Sequence, residues 1–320
     1  MSYDTVDLLI QKIVSFQPSA LTFMFQGGEP LLAGIDFYKY FVSSVRDAVR
    51  VPVSYALQTN GLLIDDEYAG FFGENGFLLG VSLDGDKSVT DRNRSDNNGK
   101  SVFDRVMNSI NILRSHSVDF NILSVIDDES VKETEKTYSF FKDCGFSFIQ
   151  FIPCIDSESA ASISMTAYES FLKKSFDLWY NDYIQGNYIS IRHIDNYLSI
   201  LLGMPPENCA MCGFCGNYYV LEADGDLYPC DFYCDSLNRV ASLSDEKPFE
   251  INDKHRAFID ESKVIHNHCR KCRYYILCRG GCKRDRINGY SENRYCKAFY
   301  SFFEYAGERM LSIAARIKSE

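Results

Sequence analysis

The sequence predicts an α/β protein in which a parallel sheet of βα units is followed by a small cysteine-rich region and a C-terminal helix. Three observations support this fold class. Short apolar runs alternate with helical patterns through the first half of the chain, which is typical of strands buried on both faces. Most of the twelve cysteines lie in the last third, where helical periodicity is lost. Beyond residue 298 a helical apolar face returns, formed by Phe302, Phe303, Ala306 and Met310.

The first half contains five predicted strands, which are the apolar runs at 21–25, 53–57, 78–82, 120–126 and 148–153. Helical spacing of apolar residues fills the intervals between them, for example at Phe37, Phe41 and Val45. The chain opens with an amphipathic helix around residues 6–13 rather than with a strand. Because a barrel of βα units begins with a strand, we expect a partial (β/α) barrel that lacks its first strand.

The second half is expected to divide into three parts. A helical pattern covers residues 165–202, and Asp224-Gly225-Asp226 predicts a hairpin turn between 218–222 and 227–229. From residue 299 the last helix runs to the end of the chain. The expected domains are a partial barrel, a helical bridge, a cysteine-rich domain and a C-terminal helix, at 1–163, 164–204, 205–298 and 299–320.

Composition predicts a globular protein of the cytoplasm. The formal net charge of −11 disfavours a nucleic-acid partner. No apolar run approaches the roughly 18 residues that indicate a membrane span, and residues 1–14 lack the features of a signal peptide. In a reducing cytoplasm, closely spaced cysteines are more often metal ligands or catalysts than disulfides.

One stretch of the chain is basic against this acidic background. Its cations are Arg270, Lys271, Arg273, Arg279, Lys283, Arg284 and Arg286. An RNA-binding patch is one interpretation. The other, which we favour, is that these cations offset the negative charge of cysteine-ligated clusters nearby.

Eight cysteines have spacings suited to metal binding. They are Cys209, Cys215 and Cys230, then Cys269, Cys272, Cys278 and Cys282 in a C-x2-C-x5-C-x3-C run, and finally Cys296. Four thiolates hold one iron–sulfur cluster, so eight suffice for two. Zinc is the alternative, although zinc ribbons usually place their cysteines in two matched pairs. No C-x3-C-x2-C triad occurs in the sequence.

Glycine-rich and polar segments follow the first three predicted strands. They read Gln26-Gly27-Gly28-Glu29-Pro30, Gln58-Thr59-Asn60-Gly61 and Ser82-Leu83-Asp84-Gly85, and Arg94 follows the third. Active sites of βα barrels lie at the carboxyl ends of the strands. Glycines permit close approach of a ligand, Glu29 can bind an ammonium group, and Arg94 with Ser82 can hold a carboxylate. The alternative for the first segment is a plain strand-to-helix turn, and for the third it is a turn at Asp84-Gly85 with Arg94 as a surface charge.

Together these segments resemble radical S-adenosylmethionine (SAM) enzymes with a SPASM domain, and most of all the anaerobic sulfatase-maturating enzymes. The resemblance rests on the QGGEP, LQTNG and SLDG strand ends, the Asn93-Arg94 pair and the spacing of the cysteines. It extends from Asp4 onward and includes YPCDFY at residues 228–233. The fold implied by the resemblance is a partial barrel of the radical SAM type followed by a SPASM domain.

The resemblance also implies which residues bind SAM. These are Gly27, Gly28 and Glu29 for the amino group, Ser82 and Arg94 for the ribose and carboxylate, and Ile155 beside the adenine. Asp231 matches the position of the general base in the family.

Two auxiliary [4Fe–4S] clusters are implied as well, with ligand sets that interleave in sequence. The implied ligands of one cluster, here the first quartet, are Cys209, Cys215, Cys230 and Cys282. Those of the other, the second quartet, are Cys269, Cys272, Cys278 and Cys296.

The implied reaction converts a cysteine or serine of a sulfatase to formylglycine. A low-potential donor such as ferredoxin or flavodoxin reduces SAM by one electron, and the resulting radical removes a hydrogen from the substrate Cβ. Asp231 takes the thiol or hydroxyl proton, and an auxiliary cluster accepts the remaining electron. The implied partners are a sulfatase or other peptide and the electron donor, with no nucleic acid and no membrane.

The chain departs from the family in lacking the C-x3-C-x2-C triad of the radical-generating cluster. We expect SAM cleavage and a third [4Fe–4S] cluster only if such a segment lies upstream of Met1; the alternative is a shorter, inactive protein. Two other functions are open, an enzyme that modifies a ribosomal peptide and a non-catalytic two-cluster module for binding or electron transfer. Asp231 favours sulfatase maturation, because it has a role in that reaction.

Overall fold

The structure, a computed structural model, describes residues 1–155, 162–216, 218–286 and 292–319. The strands of its larger sheet are β1 (Leu21–Phe25), β2 (Val53–Thr59), β3 (Phe77–Ser82), β4 (Asp119–Ile126), β5 (Phe148–Pro153) and β6 (Ser190–Ile191). They lie in the order β1-β2-β3-β4-β5-β6, so each strand neighbours those before and after it in sequence. The pairs β1/β2, β4/β5 and β5/β6 are parallel. Sequential parallel strands are the arrangement of a βα barrel, and the predicted α/β class is confirmed.

All five predicted strands are present, with bounds that differ from the prediction by at most two residues. The sixth strand, β6, is not predicted by the sequence. It contains only two residues, Ser190 and Ile191, which pair with Phe148 and Ile149 of β5. A run this short shows no periodicity, so apolar patterning alone does not reveal it.

The helices of the described residues are α1 (Tyr3–Phe16), α2 (Ile35–Ala48), α3 (Asp66–Glu74), α4 (Lys87–Asn93), α5 (Phe103–Ser115), α6 (Thr134–Asp143), α7 (Met165–Ile184), α8 (Arg192–Leu201), α9 (Asp253–Ser262), α10 (Tyr275–Cys278) and α11 (Cys296–Ser319). α1 begins after Ser2, whose Oγ accepts a hydrogen bond from the Thr5 backbone N–H at 3.1 Å. The predicted last helix is α11, which starts at Cys296. None of these helices combines the length and the hydropathy needed to cross a membrane.

The predicted helical stretch at 165–202 is two helices rather than one. α7 ends at Ile184, and Gly186 follows with a φ of 83°, in the left-handed region that glycine adopts most easily. The Trp179 indole N–H of α7 donates to the Ile189 carbonyl at 2.9 Å. This hydrogen bond links α7 to the segment that precedes β6 and α8. A single glycine within a helical pattern is a weak sequence signal, so the break is missed.

The chain divides into two compact units. The first contains Met1–Gly80, Met107–Phe120 and Gly216–Asp260, and the second contains Val81–Val106, Asn121–Cys215 and Glu261–Glu320. Aromatic rings form much of each core. In the first unit the rings of Phe25 and Phe41 are 5.0 Å apart. In the second, α7 and α11 pack through Phe176 and Phe302, whose rings are 5.9 Å apart.

A small antiparallel sheet lies in the first unit. Its strands are β7 (Val220–Leu221), β8 (Asp226–Tyr228) and β9 (Ala241–Ser242). Val220 pairs with Tyr228, and Gly225 takes a φ of 91° in the turn, so the predicted hairpin is confirmed. The sequence does not predict β9, which pairs with β8 on the edge opposite β7.

Candidate functional site

The segment after β1 turns on two glycines of the first unit. Gly27 and Gly28 have φ values of 95° and 41°, a region that residues with a side chain adopt only with strain. Nothing lies within 4 Å of the position that a Cβ would take at either glycine. The backbone therefore faces open space, which suits the close approach of a ligand.

Glu29 joins the ends of β1 and β2. Its Oε1 accepts hydrogen bonds from the Leu31 backbone N–H at 3.1 Å and from Thr59 Oγ1 at 2.7 Å. Its Oε2 accepts one from the Asn60 backbone N–H at 2.8 Å. Since each carboxylate oxygen can accept two hydrogen bonds, Oε2 retains capacity for one further donor, such as an ammonium group.

In the second unit, the carboxylate that follows β3 is bound by an arginine. The Asp84 side chain is 2 % exposed, and Arg94 donates to it from Nε at 2.7 Å and from Nη2 at 3.0 Å. The Val125 backbone N–H donates to the same carboxylate at 2.9 Å. Arg94 is predicted to hold a ligand carboxylate, but one edge of its guanidinium already binds a carboxylate of this chain. Among the described residues none accepts a hydrogen bond from Arg94 Nη1, so that atom can still donate to a ligand.

The other two predicted SAM contacts of the second unit lie at strand ends. Ser82 is the last residue of β3 and Ile155 follows β5, and both are half-buried. The Ile155 carbonyl accepts a hydrogen bond from the Arg284 guanidinium. The carboxyl ends of parallel strands share one edge of a sheet, so Ser82 and Ile155 lie on the same edge.

Asp231, the predicted base, lies in a polar network of the first unit. Gln26 Nε2 donates to its Oδ2 at 3.1 Å, and the Tyr218 hydroxyl donates to its Oδ1 at 3.4 Å. The Cys230 thiol also donates to Oδ1, at 3.4 Å. Asp231 itself is exposed, so the carboxylate is oriented by its neighbours and still accessible to a substrate. Gln26 belongs to the QGGEP segment but received no predicted role, and Tyr218 carried no sequence signal.

Three thiols of the first quartet interact within the second unit. Burial raises the pKa of Cys282 to about 12, and the neighbouring thiols of Cys209 and Cys215 add to the increase. The Cys215 backbone N–H donates a hydrogen bond to Ser262 Oγ at 2.7 Å. Cys230, the fourth member, belongs to the first unit, where burial raises its pKa to about 11.

All four thiols of the second quartet lie in the second unit. Burial raises the pKa of Cys278 to about 11, and Cys269 and Cys272 raise it further. The pKa of Cys296 is raised by burial, by Glu292 and by the thiols of Cys278 and Cys269. Each thiol of the quartet thus interacts electrostatically with at least one other.

The donor set fits an iron–sulfur cluster. A cationic centre favours the thiolate form of cysteine, and four thiolates are the ligands of a [4Fe–4S] cluster. The Gly280 backbone N–H donates to Cys278 Sγ at 3.4 Å, and hydrogen bonds to sulfur are among the features that set cluster potentials.

A histidine and a glutamate adjoin the second quartet. Ligand atoms of His268, Glu292 and Cys296 lie within 4.8 Å of one another, and His268 Nε2 is 3.7 Å from Cys296 Sγ. Histidine and carboxylate are ordinary zinc ligands. Cys296 also interacts electrostatically with Cys278 and Cys269, so this thiol is common to the group and to the second quartet.

Comparison with known sequences finds related enzymes along nearly the whole chain. A cysteine-type anaerobic sulfatase-maturating enzyme of Clostridium novyi is 40 % identical over 318 residues, which cover 95 % of this chain and 85 % of the relative. A cysteine-type enzyme of the same description from Clostridium perfringens is 36 % identical over 333 residues, covering 99 % and 90 %. No protein-family model matches the chain.

A solved structure agrees with these relatives. Native anSMEcpe with bound AdoMet and Kp18Cys peptide matches this chain with a TM-score of 0.94 at 36 % identity, covering 99 % of this chain and 91 % of that one. A parallel βα sheet joined to a cysteine-rich region with this match defines the class of protein, a radical SAM oxidoreductase with a SPASM domain. Within that class, the chain belongs to the anaerobic sulfatase-maturating enzymes. The resemblance observed in the sequence is confirmed.

Proposed function

We propose that the protein converts a cysteine of a sulfatase to formylglycine. The two relatives compared above are cysteine-type enzymes, and the matching structure holds a peptide named Kp18Cys. These observations support cysteine rather than serine as the target. The observation that carries the proposal is the position of Asp231, which follows Cys230 in sequence and binds Gln26 of the glycine-rich segment in space.

SAM would be held by the strand-end residues of the sheet. The open backbone at Gly27 and Gly28 and the remaining acceptor site on Glu29 Oε2 suit its amino group. Ser82 and Arg94 Nη1 are assigned to its ribose and carboxylate, and Ile155 to the neighbourhood of its adenine. When bound and reduced by one electron, SAM supplies the radical that removes a hydrogen atom from the substrate Cβ.

The two quartets would hold two auxiliary [4Fe–4S] clusters. Cys209, Cys215, Cys230 and Cys282 are assigned to the first cluster, and Cys269, Cys272, Cys278 and Cys296 to the second. The effects of Cys209 and Cys215 on the pKa of Cys282, and those among the thiols of the second quartet, support this division. We propose a third [4Fe–4S] cluster only if the protein has a C-x3-C-x2-C segment to bind it.

Asp231 would serve as the general base. Oxidation to formylglycine removes a hydrogen atom, a proton and an electron from the cysteine side chain, and water then replaces the sulfur, which leaves as H2S. The proton passes from the thiol to Asp231. Gln26 and Tyr218 donate to opposite oxygens of this carboxylate, which fixes its orientation toward the substrate, as general-base catalysis requires.

We further propose a cytoplasmic protein that receives electrons from a low-potential carrier such as ferredoxin or flavodoxin. Its other partner is the sulfatase peptide, without nucleic acid and without a membrane. The net charge of −11 and the use of cysteine for metal binding support these assignments.

The test is the Asp231→Asn variant of the natural full-length protein, incubated anaerobically with a cysteine-containing sulfatase peptide. The amide keeps the size of the carboxylate but cannot take a proton. We expect formylglycine formation, measured by mass spectrometry, to fall roughly 100- to 10,000-fold, while deoxyadenosine is still produced. Asp253→Asn is the matched control, since Asp253 is an exposed aspartate of the same unit.

Two outcomes would contradict the proposal. Conversion of the peptide by Asp231→Asn at the wild-type rate would show that another group is the base. Deoxyadenosine production by the wild type without any formylglycine in the peptide would show that the substrate is a different molecule.

A further inference from the structure

The chain contains one segment whose charge is opposite to that of the whole protein. Residues 263–279 include five lysines and arginines and no aspartate or glutamate, whereas the chain has a net charge of −11. Three ligands assigned to the second cluster, Cys269, Cys272 and Cys278, lie within this segment.

The structure separates the basic residues into buried and exposed groups. Arg286 is 5 % exposed and donates to the backbone carbonyls of Ser262 and Val264, so it has a structural role. Arg284 donates to the Ile155 carbonyl, and Lys283 pairs with Glu261 at 2.7 Å. These three cations are therefore bound within the second unit.

Arg270 and Lys271 differ from that group. Both are exposed, and neither forms an ion pair with any residue that the structure describes. They lie directly between Cys269 and Cys272 in sequence. Two cations without an ion-pair partner among the described residues, on the short connection between two proposed cluster ligands, create a local positive field on an acidic protein.

An apolar hollow is part of the same unit. It has a volume of about 400 Å³ and is lined by Phe214, Ile276, Arg279 and their neighbours Cys212, Gly213, Lys263 and Tyr275. Ile276 is 61 % exposed and Phe214 is 50 % exposed. The hollow thus presents apolar side chains to solvent beside a guanidinium.

Residues that line this hollow lie in the chain segments between proposed cluster ligands. Phe214 precedes Cys215, and Ile276 lies between Cys272 and Cys278. The first connection also lies close to the residue after Cys278, since a Cβ at Gly213 would stand 2.7 Å from the Arg279 Cβ. A partner seated on this surface would contact the chain segments that hold ligands of both quartets.

The turn Asn267–Lys271, which carries Arg270 and Lys271, contacts α10, which carries Ile276. We propose that the side chains of Arg270, Lys271, Arg279, Ile276 and Phe214, here the cationic face, dock a small acidic one-electron carrier protein. The carrier exchanges one electron with the cluster assigned to Cys269, Cys272, Cys278 and Cys296, so that one is oxidised as the other is reduced. This inference rests on the proposed function for the presence of that cluster.

Charge and size favour this kind of partner. An acidic protein is attracted to unpaired cations, which accelerates its encounter and orients it. Electron-transfer complexes have small interfaces, and an interface commonly has an apolar centre within a polar rim. Ile276 and Phe214 provide such a centre, and Arg270 and Lys271 the rim. RNA would also bind cations, and the experiment below distinguishes it.

The experiment measures electron exchange between the cluster-loaded protein and reduced flavodoxin, an acidic flavin protein, by stopped-flow absorbance. The test variant carries Arg270→Glu and Lys271→Glu. The control is Lys100→Glu, which reverses an exposed lysine of the same unit that forms no ion pair with a described residue. At low ionic strength we expect the test variant to exchange electrons roughly 10- to 100-fold more slowly than the wild type. Salt should slow the wild type and the control but barely affect the test variant.

A small uncharged redox mediator serves as an internal standard. It needs no docking surface, so the test variant should react with it at the wild-type rate if its clusters are intact. The proposal would be overturned if the rate of electron exchange with flavodoxin fell equally in the test and control variants. It would also be overturned if this rate were unchanged in the test variant. Binding of an oligouridylate that the test variant loses, while flavodoxin exchange is kept, would show that the face binds RNA instead.

Peptide conversion with a chemical reductant separates this inference from the proposed function. If the wild type forms no formylglycine but its flavodoxin exchange depends on Arg270 and Lys271, the docking face stands and the proposed reaction fails. If formylglycine forms but the rate of electron exchange with flavodoxin does not depend on Arg270 and Lys271, the proposed reaction is supported and the proposed docking face is wrong.

Discussion

The surroundings of Cys230 and of Cys278, two proposed cluster ligands, show how the same kind of side chain is placed in two different environments. Burial raises the pKa of both thiols to about 11. Beside Cys230, however, the carboxylate of Asp231 raises the pKa further, whereas beside Cys278 the guanidinium of Arg286 lowers it. The first environment contains a carboxylate with oriented hydrogen bonds, and the second contains cations and exposed apolar side chains.

This difference suggests a division of work between the two regions. A carboxylate held by Gln26 and Tyr218 suits proton transfer from a substrate. A cationic surface beside cluster ligands suits exchange of electrons with another protein. Substitutions in each region should therefore affect different measurements, which the following predictions use.

The largest effect is expected from loss of a cluster. Cys278→Ala removes one of the four ligands proposed for the second cluster, so the protein should lose about half of its iron and sulfide, as one of two clusters fails to form. Iron and acid-labile sulfide measured after anaerobic reconstitution provide the readout. Cys144→Ala is the control, since Cys144 is a half-buried cysteine outside both quartets, and it should keep its full iron content. The same iron content in both variants would show that the second quartet does not hold a cluster.

A smaller effect is expected at the base. Gln26→Ala removes the hydrogen bond to Asp231 Oδ2, and because a hydrogen bond to a charged group stabilises by about 1.5 kcal/mol, peptide conversion should fall about tenfold. Flavodoxin exchange should stay at the wild-type rate. Gln11→Ala, at an exposed glutamine of α1, controls for loss of a glutamine. A fall in flavodoxin exchange without a fall in peptide conversion would contradict the division between the two regions.

The smallest effect is expected for Tyr218→Phe. Its hydroxyl donates to Asp231 over 3.4 Å, a long hydrogen bond whose loss should lower peptide conversion only about threefold. Tyr300→Phe, at an exposed tyrosine of α11, is the control and should convert the peptide like the wild type. A larger loss in Tyr218→Phe than in Gln26→Ala would show that Tyr218, rather than Gln26, orients the base.

The strands and the glycine-rich segments could be predicted because they depend on local patterns. The five apolar runs are the right length for buried strands, and the buried side chains of α1 are the predicted Val6, Leu9, Ile10 and Ile13. Two features escaped prediction for local reasons as well. β6 is too short for a pattern, and Gly186 ends α7 within a stretch of continuing apolar spacing.

The pairing of polar side chains could not be predicted in the same way. The sequence predicts a turn at Asp84 as one alternative and a ligand-binding role for Arg94, but the structure shows that they bind each other. In the basic stretch, some cationic side chains are exposed and others are half-buried or buried. Sequence spacing alone does not distinguish a buried arginine such as Arg286 from an exposed one such as Arg270.

By itself, the sequence determined the α/β class, the positions of the cysteines and the resemblance to sulfatase-maturating enzymes, because these depend on residue types at fixed spacings. The tertiary structure decided which groups meet. Gln26 and Asp231 are 205 residues apart and become hydrogen-bonded only when the glycine-rich segment and the small antiparallel sheet fold into one unit. Such contacts follow from the packing of whole elements, and the spacing of residues along the chain carries no record of them.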